Sequence, residues 1–311
     1  MALPSATISF PSTSLSTFHT HLKASTRILA LLGAGLSSSN ASTSHGSSSD
    51  QPQLAAPRSF AGDPVAAWRF YQEKRRQALD AQPNAAHIAL AELAKRKGNE
   101  LMVLTTNIDG LNQRAGHPTN ESELLELHGS LFDLKCSNQK RTYTEKRNLN
   151  PNIIPPSAPS TAVLLPKCPH CSNYLRPDVV SNLLRLDFVS FTGKLSAFVT
   201  QAADTWISAG PIDLVLVIGT TAQVWPAAGY VDAAIEQGAR VAMVNVDRGD
   251  LVPESGELGL TRRDWFFVGE PGEVVGGMLE PVLEMETEVS NETAIAWKDR
   301  APLNSVSYRI R

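Results

Sequence analysis

Three cysteines form the most specific chemical pattern in the sequence. Cys168 and Cys171 make a C-x-x-C pair, and Cys136 is the only other cysteine of the 311 residues. Two thiolates at this spacing can grip one tetrahedral Zn²⁺, and a structural zinc site takes four ligands. Gln139 stands where a second C-x-x-C pair would end, and His170 lies inside the first pair, where it is poorly placed to join. The pattern predicts one structural zinc with an unassigned fourth ligand, and the alternative is three unliganded thiols.

Two histidines could also do chemistry. His128 directly follows the apolar segment 124–127. A histidine at a cleft edge can act as a general base because its ordinary pKa lies near working pH. The alternative is a structural histidine whose nitrogens are satisfied. His87 follows Asn84, a plausible helix N-cap, and is expected to cap or pack that helix.

Glycine and polar residues follow several apolar segments of strand type. Gly33-Ala34-Gly35 follows residues 28–32 and could approach a pyrophosphate, although Ser38 replaces the third glycine of G-x-G-x-x-G. An ordinary strand-to-helix turn is the alternative. Open α/β sheets bind ligands beyond the carboxyl ends of their strands. The polar residues at such positions are Asn107, Asp109, Thr220, Asn245 and Asp247, and loop capping is their alternative role.

The elements that must position these residues follow from hydrophobic spacing. Short apolar runs predict strands, and residues with helical spacing separate them, so βαβ units and a parallel sheet are expected. The predicted strands are 28–32, 101–104, 213–218 and 241–246. The predicted helices are 15–25, 64–78, 84–97, 111–115 and 226–237. Segment 37–50 holds eight serines, has nothing to pack in a core, and is predicted to be disordered.

Composition excludes several classes of protein. A net charge of −3 with no basic stripe argues against direct nucleic-acid binding, and no apolar run is long enough to cross a membrane. Three cysteines cannot build a disulfide scaffold, and one C-x-x-C pair favours metal chemistry in a reducing, intracellular compartment. The sequence does not choose between mitochondrion, cytoplasm and nucleus.

In this order, the segments resemble the sirtuin (Sir2) family over about residues 15–285. Gly33-Ala34-Gly35-Leu36-Ser37 is similar to the family's G-A-G-x-S, and Thr105 to Leu111 is similar to T-Q-N-I-D-x-L. Leu127-His128-Gly129-Ser130 is similar to L-H-G-S. The remaining matches are the three cysteines, residues 175–180 (L-R-P-x-V-V), residues 219–227 (G-T-S-x-x-V-x-P-A) and Val244-Asn245.

The resemblance implies an NAD-dependent protein-lysine deacylase that acts on acylated-lysine proteins or peptides and releases nicotinamide and O-acyl-ADP-ribose. His128 would be the general base on the ribose hydroxyls. Gly33, Ala34 and Gly35 would face the pyrophosphate, while Asn107, Ile108 and Asp109 would hold the nicotinamide and ribose. The adenosine end would be lined by Gly219, Thr220, Asn245 and Asp247. The zinc would be structural and remote from the chemistry.

The implied fold is a doubly wound, Rossmann-like α/β domain with a smaller zinc-binding and helical module. We expect the NAD-binding domain to comprise residues 20–50, 99–130 and 178–275. The predicted remainder is a disordered N-terminus (1–19), a helical insertion (51–98), a zinc module (131–177) and a C-terminal segment (276–311).

The resemblance is closest to the desuccinylase-like, class III branch of the family. Tyr71 followed by Lys74 and Arg75 is similar to that branch's Y-x-x-R, which holds an acyl group ending in a carboxylate. Residues at i, i+3 and i, i+4 share a helix face. A preference for acidic acyl groups is therefore expected, and a solvated basic helix face is the alternative.

The sequence departs from the family at three places. Residues 38–50 replace a covering loop of type S-G-[IL]-P-x-F-R with a Ser-rich stretch, and residues 181–186 replace a [WF]-F-G-E segment. In addition, Thr106 replaces the usual Gln and one zinc cysteine is missing. These departures predict low turnover, and the alternative function is a catalytically weak, NAD-binding or partner-binding relative.

Overall fold

The computed structural model describes residues 12–40, 57–119, 124–138, 140, 143–151, 153, 165–179, 197–223, 225–247, 261 and 263–283. Its helices are α1 (Ser12–Ala24), α2 (Pro57–Gly62), α3 (Pro64–Asp80), α4 (Ala85–Lys97), α5 (Leu111–Arg114), α6 (Ala197–Ser208), α7 (Ala227–Glu236) and α8 (Pro271–Leu283). Its strands are β1 (Ile28–Leu32), β2 (Leu101–Thr105), β3 (Leu124–Glu126), β4 (Gly129–Cys136), β5 (Thr144–Glu145), β6 (Leu175–Val179), β7 (Leu214–Ile218), β8 (Arg240–Asn245) and β9 (Trp265–Val268).

The main sheet has six parallel strands in the order β3-β2-β1-β7-β8-β9. This is the doubly wound order, in which the chain leaves two adjacent central strands, here β1 and β7, in opposite directions. The predicted fold class is confirmed. The structure adds β9, which no sequence pattern had indicated.

Two helical layers cover this sheet because its central strands are apolar on both faces. Ile28, Ala30 and Leu32 of β1 pack with α1, α4 and α8, whereas Leu29 and Leu31 pack with α6 and α7. Alternate residues of a strand point to opposite faces, so a continuous apolar run is what a doubly covered strand needs.

A second, smaller sheet is antiparallel, with strand order β5-β4-β6, and α2 and α3 pack against it. Helix α3 packs on it through Trp68, whose indole donates a 2.7 Å hydrogen bond to the carbonyl of Leu175. Asp63 caps α3 with two side-chain hydrogen bonds, to the backbone of Val65 and Ala66. Helix α4 starts at a capping box between Asn84 and His87, which confirms Asn84 as the predicted N-cap.

Several predicted domain boundaries need correction. The predicted disordered N-terminus (1–19) overlapped the predicted helix 15–25, and the structure places residues 12–19 in α1, because Phe18 is fully buried against the sheet. The boundaries at 130/131, 177/178 and 275/276 fall inside β4, β6 and α8. Helix α4 packs with β1 in the main core, so only α2 and α3 of the predicted insertion belong with the small sheet. Sequence spacing marks where elements lie but not which core they share.

Among the described residues, no helix is both long and apolar enough to cross a membrane.

Candidate active site

Glycines interlock the turns that follow β1 and β7. The amide of Gly33 donates to the carbonyl of Ile218 at 3.0 Å, and the amide of Gly35 donates to that of Gly219 at 2.8 Å. A Cβ on Gly35 would lie 2.8 Å from the Gly219 Cα, and one on Gly219, whose φ is +65°, would lie 2.2 Å from the amide nitrogen of Leu36. These glycines are therefore required by the contact between the two turns, whereas Ala34 lies exposed between them.

The turn after β1 continues as a 3₁₀ helix, Ala34–Asn40. The prediction of disorder is wrong for residues 37–40, because they belong to this 3₁₀ helix and the hydroxyls of Ser37 and Ser38 make hydrogen bonds. Ser37 Oγ donates to Asp109 Oδ2 at 2.7 Å, and Ser38 Oγ lies 2.8 Å from both the Gly35 carbonyl and Glu270 Oε2. Sequence reasoning missed Ser38 and Glu270 as partners. The rest of the Ser-rich segment, 41–50, lies outside the described residues.

The loop after β2 is tied to the turn after β1. Asn107 Nδ2 donates to the Gly33 carbonyl at 3.0 Å. Asp109 uses Oδ1 to accept from the amide of Leu111, the first residue of α5, at 2.9 Å, and uses Oδ2 to accept from Ser37. One carboxylate therefore holds both its own loop and the turn after β1. The carbonyl of Ile108 accepts from the amide of Leu131 at 3.1 Å.

His87 lies behind this loop and is almost fully buried. Its Nε2 is 3.4 Å from Ser37 Oγ, and its Nδ1 is 2.8 Å from Asn84 Oδ1. Burial lowers the pKa of His87 to about 4, against the opposing charge of Asp109. A neutral His87 thus supports Ser37 and Asp109 while capping α4, as its predicted capping role requires.

His128 lies in the turn between β3 and β4, at the same edge of the sheet. Its Nε2 is buried and has no hydrogen-bond partner among the described residues. Burial lowers the pKa of His128 below its usual 6.5, although a hydrogen bond with the backbone of Thr106 opposes this shift. Gly129 must be glycine, because its φ is +73° and a Cβ would lie 1.9 Å from the Asp178 carbonyl oxygen. The turn thus holds a neutral imidazole with one nitrogen available to a ligand.

Glu126 precedes His128 and was missed by sequence reasoning. Burial raises its pKa to about 7, and a hydrogen bond with the Gln113 side chain opposes this shift. Asp133 and Asp109 also raise it, whereas Lys146 lowers it. A charged residue inside an otherwise apolar run, Leu124 to Leu127, was the signal that could have identified it.

The polar residues after β7 and β8 have mostly local partners. Thr220 Oγ1 accepts from the amide of Ala222 at 3.2 Å, and Asn245 Oδ1 accepts from the amide of Val246 at 2.9 Å. Both contacts fit the loop-capping alternative. Asp247 is exposed beyond β8. Their predicted role at the adenosine end is untested by these contacts and stays a prediction.

Arg75 cannot hold a substrate carboxylate as predicted. The side chain is 0% exposed, and its terminal nitrogens donate to the carbonyl of Leu131 and to three oxygens of Asn148 and Asn150. Its guanidinium also lies 5.2 Å from the centre of the Phe132 ring. The alternative of a solvated helix face also fails for Arg75, because its side chain packs on β4 at Leu131 and Phe132.

Tyr71 and Lys74 differ from Arg75 in their surroundings. Tyr71 is buried, and burial raises its pKa to about 12 while the charge of Arg176 lowers it. Lys74 is half-buried with its Nζ 5.9 Å from the Phe70 ring centre. Arg176 is a cation near Tyr71 that sequence reasoning missed, because it lies on β6, a hundred residues further along the chain.

The three cysteines come together at the end of the small sheet. Cys136 ends β4, and Cys168 and Cys171 lie in the turn before β6. Their sulfur atoms all lie within 4.8 Å of one another. They form the only group of three or more metal-binding side chains in the described part of the chain. The donor set fits a structural Zn²⁺. Gln139 lies outside the described residues.

Comparisons of sequence and of structure with known proteins find relatives of the same family. Residues 34–226 match the model of the Sir2 family. An NAD-dependent protein deacylase of Candida albicans is 33% identical over 86% of this chain and 98% of its own length. One of Pyrococcus furiosus is 33% identical over 74% of this chain and 80% of its own length. The crystal structure of a Sir2 homolog–NAD complex is 28% identical, with a TM-score of 0.65 over 88% of this chain and 94% of that one.

Proposed function

The chain belongs to the Sir2 family, and we propose on that premise that it is an NAD-dependent protein-lysine deacylase whose general base is His128. The relatives from Candida albicans and Pyrococcus furiosus carry the same activity in their names. One observation in this chain carries the assignment of the base. A buried, neutral imidazole offers an unpartnered Nε2 at the carboxyl edge of the sheet.

His128 is suited to remove a proton from a ribose hydroxyl. A buried nitrogen without a partner costs free energy, so it is expected where a ligand completes the hydrogen bond. Since the pKa of His128 lies below 6.5, the imidazole is neutral at pH 7 and able to accept a proton. The Thr106 backbone fixes the orientation of the ring from its other side.

The residues around the adjacent carboxyl ends of β1 and β7 fit NAD. When bound, NAD supplies the electrophilic ribose carbon that receives the acyl group. Asn107, Ile108 and Asp109 would hold the nicotinamide and its ribose, kept in place by Ser37 and Gly33. The remaining proposed contacts are with Ala34, Gly35, Gly219, Thr220, Asn245 and Asp247.

The acyl group is proposed to lie near Tyr71 and Lys74. Both belong to α3. This helix packs on β4, the strand that begins at Gly129 immediately after His128. A lysine attracts a carboxylate as a point charge, without the bidentate fork of arginine. Acidic acyl groups such as succinyl are therefore proposed to be preferred, with Lys74 rather than Arg75 as the cation on this helix.

The remaining proposals concern the metal site, the cellular compartment and the class of substrate. Zinc held by the three cysteines would join the end of β4 to the turn before β6 and stabilise the small sheet. Three thiols and one C-x-x-C pair support action in a reducing, intracellular compartment. The weak acidic charge supports protein rather than nucleic-acid substrates.

The test is nicotinamide release from NAD, with and without acetyl- or succinyl-lysine peptide. We expect release to depend on the acyl peptide, and His128→Ala to lower turnover by roughly 10²-fold or more while the protein stays folded. His19→Ala, on α1, is the matched control and should keep full turnover. Near-normal turnover by folded His128→Ala protein would remove His128 from the mechanism.

The expected low turnover concerns residues 41–50 and 181–186, which lie outside the described residues. A loop without Phe or Arg would leave the reacting groups poorly positioned and open to water. Grafting a G-L-P-T-F-R loop in place of residues 40–50, with the segment after Val180 also repaired, should raise turnover. Equal rates for the original and the repaired chain would contradict this expectation.

A further inference from the structure

We propose that the three-cysteine site binds Zn²⁺ with three protein sulfurs and a fourth ligand taken from solvent, so that the bound metal exchanges readily and accepts an external thiol. This concerns the coordination of the metal and does not depend on the deacylase activity. It rests on the geometry of Cys136, Cys168 and Cys171, on the sequence, and on the exposure of the surrounding turn.

The geometry of the three sulfurs suits three corners of a tetrahedron. Zinc–sulfur bonds of about 2.3 Å place tetrahedral sulfurs about 3.8 Å apart. Cys136 Sγ and Cys171 Sγ are 3.5 Å apart, and all three sulfurs lie within 4.8 Å of one another. Small side-chain rotations therefore suffice to bind the metal, and no backbone movement is needed.

The turn that carries two of the sulfurs is held by its own hydrogen bonds. The amide of Cys168 donates to the Asn173 carbonyl at 2.7 Å, and the amide of Ser172 donates to the Cys168 carbonyl at 2.9 Å. Asn173 Nδ2 also lies 3.3 Å from Cys171 Sγ, where it can donate to a thiolate. Asn173 thus supports Cys171 as a ligand through its amide N–H.

No fourth cysteine thiolate is available to this site, because the chain contains only three cysteines. His170, inside the C-x-x-C pair, is exposed, and its ring packs against Tyr143 with centroids 5.2 Å apart. No other described histidine or carboxylate joins the sulfur cluster. The stretches outside the described residues between 139 and 164 contain no Cys, His, Asp or Glu.

Solvent reaches the cluster from the side of Cys171. Cys136 and Cys168 are buried, whereas Cys171 is half-buried and its neighbours Pro169, His170 and Ser172 are exposed. Zinc sites with an open fourth position bind water or a substrate there, and soft thiols compete well for zinc. A chelator or small thiol can therefore attack the metal directly, which a closed four-sulfur site resists.

Cobalt substitution tests the number of sulfur ligands in the full chain. Metal-free protein titrated with Co²⁺ should bind one equivalent and show thiolate-to-cobalt absorption for three Co–S bonds. Adding 2-mercaptoethanol should raise this absorption by about one third, as a fourth sulfur joins. Gln139→Cys, which completes a second C-x-x-C pair, should show the raised absorption without the added thiol and no further increase with it.

Zinc transfer to a chromophoric chelator gives a second readout. The rate for the unaltered chain should rise with chelator concentration, and Gln139→Cys should slow it by about tenfold or more. His170→Ala should change neither the absorption nor the rate. The proposal is overturned if the unaltered chain binds no metal, if 2-mercaptoethanol leaves its cobalt spectrum unchanged, or if His170→Ala alters that spectrum. Metal binding and the response to 2-mercaptoethanol are measured on the unaltered chain. The proposal can therefore be refuted even if Gln139→Cys does not fold.

Discussion

Replacing Arg75 by alanine should destabilise the protein rather than change its choice of acyl group. The family resemblance predicted Lys74 and the adjacent Arg75 as cations for the substrate, and helical spacing placed both on the face of Tyr71. The structure buries the guanidinium completely, over the Phe132 ring and against the carbonyls of Leu131 and Asn148. Burial lowers its pKa only to about 10, so the side chain stays charged at pH 7.

The expected loss of stability follows from the partners that Arg75 would leave behind. The carbonyl of Leu131 belongs to a buried residue, and an unsatisfied buried acceptor costs about 1–3 kcal/mol. Asn148 and Asn150 are half-buried and exposed, so water can replace the arginine there at small cost. With the lost packing of the side-chain stem, we expect a total of about 3 kcal/mol. This corresponds to a fall in Tm of roughly 5 °C for a chain of this length.

Thermal and denaturant unfolding measure this loss, with Arg76→Ala as the matched control. Arg76 is exposed, and its one ion-pair partner in the described part of the chain is Glu73 on the same helix, so its removal should change stability by about 0.5 kcal/mol or less. Arg75→Lys should recover part of the loss, because one ammonium cannot reach all the carbonyls. If Arg75→Ala unfolds like the unaltered chain and selectively loses succinyl-lysine turnover, the structural role assigned to Arg75 is wrong.

Three further predictions concern other parts of the chain. Gly35→Ala should lower the Tm and weaken NAD binding, because its Cβ would overlap the backbone of the turn after β7. Gly276→Ala, on the open face of α8, should instead raise the Tm, and equal effects of the two changes would contradict the close contact between the turns after β1 and β7. Glu126 binds its proton more tightly in the folded state, so its ionisation weakens stability as pH rises from 4.5 to about 7, and Glu126→Gln should raise the Tm more at pH 8 than at pH 5. Lys74→Ala should reduce the preference for succinyl- over acetyl-lysine peptide in competition assays, and an unaltered chain that prefers acetyl-lysine would refute the acyl assignment.

Motif order and hydrophobic spacing alone determined the family, the doubly wound sheet and the outline of the candidate site. They did so because glycines, polar loop residues and apolar strand runs are local features. The segment 28–32, for example, is apolar at every position because both faces of β1 are covered. The loop at Asn107 and Asp109 and the turn at His128 follow strand ends, and parallel strands bring those ends to one edge.

Only the tertiary structure decided how the side chains are used. Arg75 and Lys74 are adjacent in sequence and both basic, yet packing on β4 buries one completely and leaves the other half-buried. The partners of Ser37, Ser38 and Arg75 lie on other elements, so no local pattern could reveal them. Burial and distant contacts depend on how elements pack, and for that reason Ser37 and Ser38, which were predicted to be disordered, hold the turn after β1 in place.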